Sequence, residues 1–286
     1  MAHRLLVPQT RTGHSSCGHF PHGFPGIAST RKEYTREPKL DIAVYKSADP
    51  HYDFSVPPDF GSGEEFSARC YWVSPDGRHN GRGWAPFSFA IEGLAMGGKD
   101  YNRTTKFCPH DIFADVPVSL YVDGNVTISP PASDEIARFL VSSAEIGLCL
   151  HGEHRTIPEE IETCIARGKM TAGEARFAER RYAAYLSEGM PPDMPVYYGG
   201  VILRRHGSAR VRSAMSDWAE EYASGLSRDQ VSLPYILWRN NVKVHVFNNG
   251  YEDPPGAFFA RRHRTGRFLS DLNEWRKQHA VRRRLG

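Results

Sequence analysis

The sequence has 286 residues, 40% of them apolar and 24% charged, with a formal net charge of +3; that is the size of one large domain or two small ones and the composition of a globular protein. Its apolar runs fall far short of the ~20 residues of a membrane-spanning helix, and the stretch after Met1 is too short for the ~7–15-residue core of a secretory signal, so the cytoplasm is the expected compartment. Five widely spaced cysteines, Cys17, Cys70, Cys108, Cys149 and Cys164, include no Cys-x-x-Cys, which argues against a disulfide scaffold and a structural zinc site.

Residues 1–38 carry His3, His14, His19, His22 and Cys17 among Gly, Pro, Ser and Arg, without a sustained apolar period. A poorly ordered arm is expected there; a Gly/Pro-rich segment does not supply the fixed geometry that a metal site needs. From Leu40 onward short apolar runs alternate with helical patterns. Leu40 to Tyr45 reads as a first strand and Arg69 to Val73 as a second, closed by the turn Ser74-Pro75-Asp76-Gly77. Val118 to Val122, Ile146 to Leu150, Val196 to Leu203 and Val242 to Phe247 follow as further strands. Cys149 and Cys164 lie in apolar surroundings and are expected as buried thiols.

Helices are expected between these strands, at Ser133 to Ser143 and at Pro158 to Arg167, where proline suits a first helical position. Thr171-Ala172-Gly173-Glu174 has the Thr-x-x-Glu spacing of a capping box, opening a helix that ends near Gly189. From Ser208 to Ser224, Val211, Ala214, Met215, Trp218, Ala219 and Tyr222 share one helical face and Gly225 supplies the stop. The alternation predicts an α/β domain with a mostly parallel central sheet flanked by helices. From Ala260 onward nine Lys and Arg face Asp271 and Glu274, a local charge of +7. That tail has the charge to hold phosphates, anionic lipid or nucleic acid, and it also reads as a solvated terminus.

Several segments carry candidate chemistry. Asp123 follows a strand directly, where open parallel sheets bind ligands. Asp123-Gly124-Asn125 places two oxygen-bearing side chains around a glycine, suited either to a divalent cation holding a diphosphate or to a plain hairpin turn. Arg103 and Lys106, three apart, share a face if helical and then offset phosphate charge; alone they also read as a surface helix. Asp229, where a loop enters a helix, either complements the helix dipole or accepts a proton from an acceptor hydroxyl. The segment Val196 to His206 mixes aromatics, the pair Gly199-Gly200 and the cationic end Arg204-Arg205-His206, a sugar-binding floor or a core strand.

Taken in order, these residues resemble one family. They are Cys70-Tyr71-Trp72-Val73-Ser74-Pro75-Asp76, Arg103 with Lys106, Pro109 and His110, then Tyr121-Val122-Asp123-Gly124-Asn125, and His151 with His154, Arg155, Glu159 and Glu160. Gly199 with Val201 to His206, Trp218, and Arg228-Asp229-Gln230-Val231-Ser232-Leu233-Pro234-Tyr235-Ile236-Leu237-Trp238 complete the series. The chain resembles, from about Leu40 to Phe247, the glycosyltransferase-like domain family of plant mucilage-related and turgor-defect proteins and their bacterial relatives.

The resemblance implies a single GT-A-like domain over residues 39–259, between the arm at 1–38 and a basic tail at 260–286. It implies a nucleotide-sugar donor, with Mn²⁺ or Mg²⁺ held on its diphosphate by Asp123 and Asn125, the latter a neutral residue where an acid is usual. Arg103 and Lys106 would bind the donor, Asp229 would act on the acceptor as base or orienting group, and His151, Gly199, Gly200, Arg205, His206 and Gln230 would line the acceptor or sugar pocket. The family spaces His and Arg three apart; here Arg155 is four from His151, and His154 stands at the third position. Three functions follow: sugar transfer to a hydroxyl acceptor such as a glycan, its narrower form with a modified DNA base as acceptor and the tail as DNA contact, and non-catalytic binding of a nucleotide-sugar or nucleic acid.

Overall fold

A computed structural model describes residues 39–47, 57, 60, 65–78, 81–91, 99–247 and 257–260, all within one compact unit spanning 39–286. The arm expected over residues 1–38 and the basic tail lie outside the described residues, apart from Ala260.

The chain forms β1 (Leu40–Ser47), β2 (Phe66–Ser74), β3 (Ala85–Ser88), α1 (Lys99–Phe107), α2 (Pro109–Ile112), β4 (Val118–Val122), β5 (Val126–Ile128) and α3 (Ala132–Val141). It continues through β6 (Ile146–Leu150), α4 (Ile157–Ala166), α5 (Ala172–Ser187), β7 (Tyr197–Arg205), α6 (Ala209–Ala223), α7 (Asp229–Arg239), β8 (Val244–Val246) and β9 (Phe258–Ala260). Among the described residues no helix is long and apolar enough to cross a membrane.

Seven strands form one sheet in the order β3-β2-β1-β4-β7-β6-β8. All neighbours are parallel except around β7, which runs against both β4 and β6. The period of two along each strand divides the core into two layers. Ala43, Tyr45, Tyr121, Ile146 and Leu148 pack with Phe107, Ile161, Ala178, Trp218 and Leu237 on the face covered by most of the helices. Ile42, Val44, Leu120 and Val122 face the other way, onto Ile136 and Phe139 of α3 and onto Val126 and Phe258 of a small second sheet.

That second sheet is the antiparallel pair β5–β9. The Asp123-Gly124-Asn125 turn therefore joins no hairpin: β5 leaves the main sheet and pairs with a segment far downstream in the chain. Local end signals hold where hydrogen bonds make them. Thr171 with Glu174 forms the expected capping box, Thr156 with Glu159 forms a second, and Ser208 caps α6. Gly225, after α6, takes a φ of 108°, open to glycine without steric cost. Cys149 and Cys164 are buried free thiols.

Two features of β7 position the site. Because it runs antiparallel, its Gly199-Gly200 start lies at the carboxyl ends of β4 and β6. Its ladder with β6 also shifts between Leu148 and Cys149, whose partners are Ile202 and Tyr198, so residues 199–201 have no partner on β6. The bulge turns glycine backbone toward α1 and α7.

Candidate active site

At the tip of β4 the Asp123 amide donates to the Gly200 carbonyl at 2.8 Å, and its own carbonyl accepts from the Val126 amide at 3.0 Å. Tyr121, two residues earlier and therefore on the same face, donates its hydroxyl to Asp123 Oδ1 at 2.6 Å. Burial and the Asp123 carboxylate push the Tyr121 phenol well above its ordinary range, which keeps it a donor. Asn102 of α1 donates to that hydroxyl at 3.0 Å and also to the Ser47 carbonyl. On the other face, the buried Lys46 ammonium donates to the carbonyls of Gly124 at 3.1 Å and Val126 at 2.5 Å. The turn is thus held from α1 through Tyr121 and from β1 through Lys46.

Arg103 and Lys106 do share a face of α1, and both reach Asp229, the first residue of α7. Lys106 Nζ lies 2.5 Å and Arg103 Nη1 3.0 Å from Asp229 Oδ2. Lys106 is no surface residue: its side chain is 0% exposed, packed over the rings of Tyr121 and Trp218. The buried Arg204 of β7 donates to the Lys106 carbonyl at 2.5 Å and to Tyr45 Oη at 2.7 Å, anchoring the end of α1. A Cβ on Gly199 would lie 3.1 Å from Asp229 Oδ2 and 3.2 Å from Lys106 Nζ, so a side chain there would have to push this pair back by a few tenths of an ångström.

Burial alone would raise the Asp229 pKa; the charges of Arg103, Lys106 and Arg228 outweigh it and hold the carboxyl well below the usual range. A carboxylate so stabilised is a poor proton acceptor.

A second cluster adjoins the first. Arg228, preceding α7, donates through Nη2 to Glu160 Oε1 at 3.1 Å and to Gln230 Oε1 at 2.8 Å. Glu160 Oε2 lies 3.5 Å from His154 Nε2 and 3.9 Å from His151 Nε2, and the two imidazoles stack with centroids 4.4 Å apart. His151 and Gln230 therefore connect to Asp229 through Glu160 and Arg228.

Two expected pocket residues lie elsewhere. Arg205 pairs with Val118, at the start of β4, which places it roughly 16 Å along the strand from Asp123 at ~3.3 Å per residue. Its guanidinium donates to the carbonyls of Ala144, Phe139, Leu140 and Ser142, closing the end of α3. His206 is buried with Nε2 2.8 Å from Ser119 Oγ, and its amide donates to the Pro117 carbonyl. The reversal of β7 carries both to the far end of the sheet, so neither lines a pocket at Asp123. Lys46, Asn102 and Arg228, for which the sequence suggested no role, and Arg204, read there as part of the cationic end of a floor or core strand, hold the site together.

The donor set at the turn fits a hard divalent cation as a partial site. Asp123 and Asn125 offer oxygens, the ligand type Mg²⁺ and Mn²⁺ take, and one hydrogen bond from Tyr121 leaves Asp123 most of its ~four lone-pair positions. A single acid requires further oxygens from a phosphate ligand or water.

The Asp123 turn and the Asp229 carboxylate with its cations thus stand at the carboxyl edge of an α/β sheet, where open sheets bind ligands. The model of the TOD1/MUCI70 family, a glycosyltransferase-like domain, matches residues 98–254, and the chain belongs to that family. No curated protein sequence matches the chain. Among solved structures the chain is similar to mouse xyloside xylosyltransferase 1 in its apo form, at 11% identity and a TM-score of 0.36, over 59% of this chain and 67% of that one. It is also similar to an active-site mutant of LgtC, at 14% identity and a TM-score of 0.34. A third is the galactosyltransferase LgtC in complex with donor and acceptor sugar analogues, at 13% and 0.35; each LgtC match covers 77% of this chain and 86% of the other.

Proposed function

We propose that the chain transfers a sugar from a nucleotide-diphosphate donor to a hydroxyl acceptor, with Asp123 and Asn125 holding a divalent cation on the donor diphosphate. The cation, when bound, offsets charge developing on the leaving diphosphate. Arg103, whose side chain keeps 13% exposure and feels both Asp229 and Asp123, is the cation of α1 placed to meet phosphate. The enclosed Lys106 instead fixes Asp229. Asp229 orients the acceptor or transferred sugar without taking a proton, and Gly199-Gly200 give backbone close approach at the same edge. The work of the site is positioning and stabilisation of the leaving group.

The observation that carries this reading is the meeting of Arg103, Lys106 and Asp229 against Gly199, beside the clamped Asp123 turn. A screen of nucleotide sugars for thermal stabilisation, with and without Mn²⁺, tests it. Metal-dependent stabilisation by at least one nucleotide sugar is expected; no response to any of them would refute the donor assignment.

The local charge of +7 from Ala260 onward supports nucleic acid as a narrower acceptor class. Binding to DNA should then weaken steeply with salt and be lost in a chain ending at Ala260, which keeps β9 paired with β5. Unchanged DNA affinity in that chain would remove this reading.

A further inference from the structure

His151, His154 and Glu160 bring ligand atoms within 4.8 Å of one another, an arrangement that suggests a second metal site. The hydrogen bonds argue otherwise. His151 Nδ1 accepts from the amides of Glu153 at 3.3 Å and His154 at 3.1 Å. The ring proton is therefore on Nε2, the atom facing Glu160, whereas a metal-bound imidazole carries its proton on the nitrogen away from the ion. Glu160 Oε1 is also engaged, accepting from Arg228 and from the Cys164 thiol at 3.1 Å.

The geometry points to a different role: Glu160 is a positioning residue that acts on the Asp229 cluster through Arg228. This inference rests on the role proposed above for Asp229. Glu160 and Arg228 are nearly enclosed, with side chains 3% and 19% exposed, and Glu160 is the carboxylate that Arg228 pairs with. Arg228 also lies within electrostatic reach of Asp229, whose carboxylate already serves Lys106 and Arg103. A largely enclosed guanidinium deprived of its own carboxylate turns to the nearest remaining one, because a poorly solvated, unpaired charge is costly. Arg228 has the capacity to do so: its Nε–H is buried and has no hydrogen-bond partner among the described residues. Glu160 therefore keeps Arg228 from competing for Asp229, and preserves the pose of Asp229 against Gly199. The stacked histidines lie against Glu160 Oε2, at 3.5 Å from His154 Nε2 and 3.9 Å from His151 Nε2.

Two measurements test this. The first is a mutational cycle in urea unfolding of the full chain, combining Glu160→Gln with Asp229→Asn, with and without Arg228→Gln. Glu160 and Asp229 make no direct contact, so their midpoint shifts should be non-additive with Arg228 present and additive without it. Additive shifts in both backgrounds would overturn the inference. The second is release of free sugar from a panel of nucleotide sugars. Glu160→Gln should lower kcat about tenfold with donor KM within about twofold, and should cost almost nothing further in the Arg228→Gln background, since effects passed through one residue do not multiply. Multiplying losses, or a raised KM alone, would contradict it. The doubly neutral Glu160→Gln/Arg228→Gln chain leaves neither ion unpaired and keeps the cycle measurable if a single variant fails to fold. If wild-type protein turns over no donor, the proposed function fails while the unfolding cycle still decides the link.

Discussion

Lys106 Nζ stands 2.5 Å from Asp229 Oδ2, joining the penultimate residue of α1 to the first residue of α7 across 123 positions of the chain. The contact is buried on both sides and ties the end of α1 to the start of α7. Removing one member of a buried pair leaves the other uncompensated, which costs roughly 3–5 kcal/mol. Asp229→Asn should show a loss of that order in urea unfolding, because it strands both Lys106 and Arg103. Lys106→Met should cost less, since Asp229 keeps Arg103 at 3.0 Å. The depressed pKa of Asp229 adds a sign: its contribution is present above the unfolded carboxyl value of ~3.9 and is lost as pH falls below it. Wild-type protein should therefore lose stability below about pH 4 more steeply than Asp229→Asn, and parallel curves would contradict the pairing.

Lys46 holds the Asp123 turn from beneath through two backbone carbonyls. Lys46→Met keeps the stem and removes the ammonium, leaving the buried Val126 carbonyl without that donor, at a cost of roughly 1–3 kcal/mol. Affinity for Mn²⁺ with a nucleoside diphosphate, measured by calorimetry, should fall more than the stability loss predicts, because the turn that presents Asp123 and Asn125 loses its clamp. An unchanged affinity would show that the turn holds its shape by itself.

His206 is pressed to a pKa of about 4 by burial and then by the neighbouring Arg204 charge, against ~6.5 for a free histidine. A neutral buried histidine contributes stability that is whole above the unfolded value and is lost as pH falls toward the folded one. Between about pH 6.5 and 4 the wild-type unfolding midpoint should fall more steeply than that of His206→Gln. Donor turnover at pH 7 should be alike in both, since His206 lies at the far end of the sheet from Asp123.

The periodic parts of the sequence translate directly into structure. The apolar alternation of Leu40 to Tyr45 became the two-sided strand β1, and the stripe from Val211 to Tyr222 became the buried face of α6. Arg103 and Lys106, read from a three-residue spacing, do act together. Their partner is Asp229, and a partner so far along the chain is set by packing rather than by local pattern. Arg205 and His206 were misplaced for a related reason: Val196 to His206 looks the same whichever way the strand runs, and its direction decides which end meets the site. The roles of Lys46 and Arg204 were hidden because a charge at the end of an apolar run reads as solvated until its carbonyl and hydroxyl partners are known.

Turnover of nucleotide sugars in the presence of Mn²⁺ by wild-type and Asp123→Ala protein tests the central claim most directly. Asp123 is half-buried at a strand end, so the substitution spares the core, and thermal unfolding confirms that the variant is folded. Wild-type protein should transfer or hydrolyse at least one donor, and Asp123→Ala should lose about 100-fold or more in kcat, the scale seen when one group stabilising transition-state charge is removed. A folded Asp123→Ala protein that turns over its donor at the wild-type rate would contradict that claim.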